Sequence, residues 1–89
     1  MKEKHFAYKI NREPSGLVCT HHEFEEDNML ELLCEIRDSH AKGIYWIFKQ
    51  LNGKPHEALS IIDCENSRIY FHYSGEVEDL ERVIEKLSQ

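Results

Sequence analysis

With 89 residues, 40% of them hydrophobic and 31% charged, the chain is long enough for one core, too short for two, and too apolar to be a disordered segment. Seventeen acidic against eleven basic residues leave a formal charge of −6, and the basic residues are scattered singly, so nucleic acid and anionic membrane surfaces are not expected partners. Cys19, Cys34 and Cys64 are odd in number and lack C-x-x-C spacing, and the N-terminal MKEKHFAYKI has no continuous apolar stretch; the expectation is one cytoplasmic domain over residues 1–89 with reduced thiols and no cofactor.

In chain order, His5 to Arg12 alternates, with Phe6, Tyr8 and Ile10 on the side expected to face the core and His5, Ala7 and Lys9 opposite. Glu13-Pro14-Ser15-Gly16 is a turn, and Leu17 to Phe24 returns as the second strand of a hairpin. Asn28, with Glu31 three residues on, caps a helix predicted to run to about Lys42 and to stop at Gly43. On it Met29, Leu32, Leu33, Ile36 and His40 form one stripe and Leu30, Cys34 and Ala41 a second. Together they span about 200°, more than one sheet face covers.

Ile44 to Leu51 is apolar on both parities, as in a strand covered on both faces. Asn52-Gly53 offers a tight turn, His56 to Cys64 the next strand, Glu65-Asn66-Ser67 a turn, and Arg68 to Tyr73 a strand with Ile69, Phe71 and Tyr73 on one face. The last helix is predicted over Glu76 to Leu87, burying Val77, Leu80, Val83, Ile84 and Leu87 in an arc of about 120°.

The result is an α+β fold of order ββαβββα, with a five-stranded antiparallel sheet and two helices in a two-layer, or partly three-layer, sandwich. This element order resembles that of the profilin-like folds, including the roadblock and longin domains; what the resemblance implies is a dimerising adaptor module.

The stretch VCTHHEFEED at 18–27 concentrates a thiol, two imidazoles and four carboxylates. Cys19, His21 and Glu23 share a strand face and are ligand types that zinc accepts, but they lie on one segment, whereas zinc sites usually draw ligands from separated ones. A polar strand leading into a helix cap is preferred. His40 is expected as a boundary histidine on the helix stripe, and His5 and His72 as solvated. Cys34 and Cys64 are read as small buried hydrophobes; with no nucleophile elbow, phosphate loop or helical metal motif, an enzyme is unsupported.

If Trp46 faces the helices, Tyr45, Ile47 and Tyr70 form an apolar patch on the back of the sheet. The leading expectation is therefore an acidic protein–protein interaction domain, an adaptor or an inhibitor or immunity-type binder, self-associating as a homodimer. Its interface would be Tyr45, Ile47 and Tyr70 of the back face, or Leu30 and Cys34 of the first helix. The alternative is a metal- or small-ligand-sensing domain using Cys19, His21 and His72.

Overall fold

The longest strand, β1 (Glu3–Glu13), is where the sheet is assembled. The computed structural model describes residues 3–18, 22–52 and 54–89. After a turn at Pro14-Ser15, closed by Gly16 at φ +130°, the chain comes back along β1 as β2 (Gly16–Val18) and then β3 (His22–Glu26). The other edge of β1 takes β4 (Ile44–Leu51), in antiparallel register from Glu3↔Leu51 to Ile10↔Ile44. Hairpins then add β5 (Lys54–Asp63) and β6 (Arg68–Phe71), and β7 (Val77–Asp79) closes the sheet. Because β2 and β3 follow one another on one edge, the described segments form a sheet six strands wide, antiparallel throughout.

The α+β class, the two helices and the ββαβββα order agree with expectation, and β7 is the added strand. Val77 to Asp79 were expected as helix because Val77, Leu80, Ile84 and Leu87 have helical spacing. Instead Val77 pairs with Tyr70, and Asp79 is the N-cap, accepting from the amides of Glu81 and Arg82 at 2.9 and 3.4 Å. Helix α2 thus spans Leu80–Leu87, burying Leu80, Val83 and Ile84, while Val77 is 55% exposed and Leu87 is also exposed.

Helix α1 (Met29–Asp38) is capped as expected, the Asn28 side chain accepting from the Glu31 amide at 2.9 Å. It ends four residues before Lys42. His40 adopts φ +55°, its amide bonds to the Arg37 carbonyl at 3.1 Å, and the Ala41 amide reaches the Ile36 carbonyl at 3.4 Å. This paired closure is a Schellman stop with histidine in the left-handed position. His40 is therefore past the helix and exposed, not on its apolar stripe. The wide arc of α1 has an internal explanation: the helix touches β1, β3 and α2, and Leu30 and Cys34 pack against the subunit's own core.

Both helices cover the same face of the sheet, and the choice of face reverses the expectation. Ala7, Ile47 and Ser60 stand in register across β1, β4 and β5, beside Tyr45, Ile62 and Ile69 across β4, β5 and β6. All six are buried beneath Leu32, Leu33, Ile36, Leu80, Val83 and Ile84. Tyr45 is 2% and Ile47 0% exposed, so neither belongs to a back-face patch. Five of the six are small or β-branched and make a close floor for the helices, with Tyr45 the one large ring among them. Each fully buried isoleucine contributes about 1.5–3 kcal/mol. Among the described residues, no helix is long and apolar enough to cross a membrane.

The two faces of β4 should respond differently to truncation. Ile47→Ala is expected to cost about 2–5 kcal/mol of unfolding free energy in urea titrations, and Ile44→Ala, 42% exposed on the opposite face, at most about 1 kcal/mol. Equal losses would contradict this assignment of faces.

Candidate functional site

Turning Ala7, Tyr45 and Ile47 inward puts Phe6, Tyr8, Trp46 and Phe48 on the opposite face. Rings there touch in an unbroken series across the sheet. Phe6 and His22 lie 4.6 Å apart between centroids, Tyr8 and His22 5.9 Å, Tyr8 and Phe48 5.6 Å, Trp46 and Phe48 4.8 Å, Trp46 and His72 6.0 Å, and Tyr70 and His72 5.4 Å. Four of these six contacts are edge-to-face, the arrangement favoured by ring quadrupoles. Ile61 fills the step on β5 between Trp46 and Tyr70, and Ile10, Ile44 and Val77 extend the apolar surface toward one end.

None of these residues packs against the core beneath the helices, and among the described residues no element lies over them. Phe6 is buried under the His22 ring, Tyr8, Trp46, Phe48 and Ile61 are half-buried, and Tyr70 is 37% exposed. Together these side chains form one contiguous apolar surface, unlike the scattered single hydrophobes of an ordinary surface.

Lys4, Glu25, His22 and Trp46 have polar partners on this face. Lys4 donates to Glu25 at 2.7 Å, and Glu25 lies 3.5 Å from Nε2 of His22. The hydrogen bond to Lys4 holds the Glu25 carboxyl below its usual range, and in return the bond to Glu25 raises the Lys4 ammonium. At the opposite end Arg68 stands in register between Asp63 and Asp79. Near the middle the Trp46 indole N–H donates to Nε2 of His72 at 2.9 Å. His72 leaves β6 at the start of a turn, its amide bonded to the Leu59 carbonyl at 3.1 Å, and it borders a cleft of about 450 Å³ with Glu57, Ala58, Leu59 and Tyr73.

Of the residues expected at an interface, the structure places Tyr70 on this face, Tyr45 and Ile47 in the core, and Leu30 and Cys34 against the core. The Tyr45 hydroxyl donates to Glu23 at 2.6 Å, and burial pushes the phenol far above its usual range. Glu23 is therefore engaged by a tyrosine; Cys19 and His21, the other members of the expected metal triad, lie outside the described residues. Among the described residues no three His, Cys, Asp or Glu side chains are gathered to hold a metal ion. His5, expected to be solvated, is buried on the helix side, and the loss of water lowers its pKa. His72, expected to be solvated, is half-buried, and its Nε2 accepts from Trp46.

The residues missed as a surface are Phe6, Tyr8, His22, Trp46 and Phe48. A signal was present: one parity of β1 and β4 carries Phe6, Tyr8, Trp46 and Phe48, whereas the other carries Ala7 and Ile47 with a single phenol, Tyr45.

A second cleft, of about 280 Å³, lies between the end of α1, the β5–β6 turn and the start of α2, with Ile36, His40 and Cys64 in its wall. Burial, and then the charges of Asp63 and Glu65, push the Cys64 thiol up to about 11. That is the wrong direction for a nucleophile.

Comparison with family models, with curated proteins and with solved structures finds no match. The open aromatic face is thus read from its own chemistry. As for Cys64, a rise of this size lowers its thiolate population at neutral pH on the order of a hundredfold. Iodoacetamide labelling at pH 7.5, mapped by mass spectrometry, should therefore be far slower at Cys64 in the native protein than in urea; equal rates would contradict the buried thiol.

Proposed function

We propose that this chain is a protein–protein interaction domain that self-associates face to face through its aromatic sheet surface. The observation that carries this reading is the continuous series of rings from Phe6 to Tyr70 with nothing of the described chain above it. A sheet is ordinarily covered on both faces or wetted by polar side chains on one, and this face has rings where polar residues are expected.

A second copy fits the face in area and charge. Five strand spacings of ~4.8 Å, by strands about 20 Å long, give roughly 500 Å² per subunit, or about 1,000 Å² in total, which reaches the lower range of specific interfaces. Each end of the face carries both signs, Lys4 with Glu25 and Arg68 with Asp63, so two-fold pairing does not force like charges together. Much of the acidity sits on the other layer, at Glu31, Glu35 and Asp38 of α1 and Glu81 and Glu85 of α2. Trp46 and Tyr70 are the residue types that dominate binding energy when they are central to an interface. A foreign protein partner is the outcome to be expected if the chain is monomeric.

Sedimentation across a concentration series tests the proposal. Twice 10.6 kDa, about 21 kDa, is the expected assembled mass. Tyr70→Glu should weaken assembly by about a hundredfold, whereas Leu87→Glu, equally accessible on α2, should leave it unchanged. A monomer at all concentrations, or equal effects of the two variants, would overturn self-association through this face.

A further inference from the structure

The Trp46–His72 bond has a direction, and the direction fixes a protonation state. An indole N–H only donates, so Nε2 of His72 presents its lone pair to Trp46 and the neutral ring carries its proton on Nδ1. We propose that this pair is a pH-sensitive latch, in which proton uptake at Nε2 of His72 releases Trp46 and disfavours self-association. This rests on the face-to-face reading above and names its regulation.

The step is simple in atoms. A proton from solvent takes the Nε2 lone pair, the imidazolium then has an N–H at both nitrogens, and the Trp46 N–H is left facing a donor. Trp46 loses its acceptor at the centre of the face, between Phe48 and His72. The new positive charge would also have to be stripped of water beneath a second copy, which brings an imidazolium of its own.

Groups on β4, β5, β6 and the turn after β6 surround His72. On β4 it meets the Trp46 ring, and on β6 the edge of Tyr70. From β5, Glu57 lines the same cleft, and the following turn carries Tyr73 and Glu76. His22, at the other end of the ring series, differs in kind: its Nε2 already faces Glu25, so protonation there gains an ion pair and breaks no indole bond.

Trp46 is the sole tryptophan, so its fluorescence reports the bond directly. The full chain, His72→Gln and, as a control on the helix layer, His40→Asn are titrated from pH 8 to 5, the range in which imidazoles take up protons, with fluorescence and assembled mass followed together. Glutamine keeps an acceptor oxygen but binds no proton. The wild type and His40→Asn should show a fluorescence step, and between pH 7.5 and 5.5 a dissociation constant at least about tenfold higher. His72→Gln should be flat in both. A step that persists in His72→Gln would overturn the latch, as would a dissociation constant that ignores the step. A chain that is monomeric at pH 7.5 yet keeps a His72-dependent step would overturn self-association and its regulation while leaving the bond itself standing; the two failures are thus distinguishable.

Discussion

The contact between two α-helices and a strip of small and branched side chains decides everything else in this fold. Ala7, Ile47 and Ser60 in one row, with Ile62 and Ile69 beside them, let α1 and α2 approach the sheet closely, and Leu32, Leu33, Ile36, Val83 and Ile84 fill the space between. Side chains alternate along a strand, so fixing this strip underneath fixes Phe6, Tyr8, Trp46 and Phe48 on top. The rings left on top make the open face sticky. Packing and interaction surface are two consequences of one parity choice.

Much of the fold was legible because local signals agreed with the final structure. The Pro-Ser-Gly turn, the Asn28 cap with Glu31, and the alternation in β1 and β6 each point to the element that forms. The elements that misled carried two periodicities. Val77 fits a helical stripe with Leu80 and Ile84 as well as it fits a strand beside Tyr70, and only the stronger cap at Asp79 separates the two. Gly43 was the obvious helix stop, yet His40 takes the left-handed position and Gly43 serves the entry to β4, where a Cβ would meet Lys9 at 3.2 Å.

The site was legible in kind and not in identity. A doubly apolar strand over residues 44–51 points to a covered or contacting second face, but alternation does not say which parity the helices take. Phe6, Tyr8, Trp46 and Phe48 stand away from the helix layer, whereas Tyr45, Phe24 and Phe71 belong to it. The width of the α1 stripe, taken as a sign of an external partner, is met inside the subunit by α2 and β3. Histidines are distributed by the same logic, with His5 buried under the helices and His22 and His72 built into the ring series.

Solvent access to Trp46 at low and high protein concentration tests the central claim, that the ring face is covered by a second copy, most directly. Acrylamide quenching at pH 7.5 should be strong at about 1 μM chain and fall at least about threefold at several hundred μM, as the face becomes covered. A quenching constant that stays the same across that range would contradict the account.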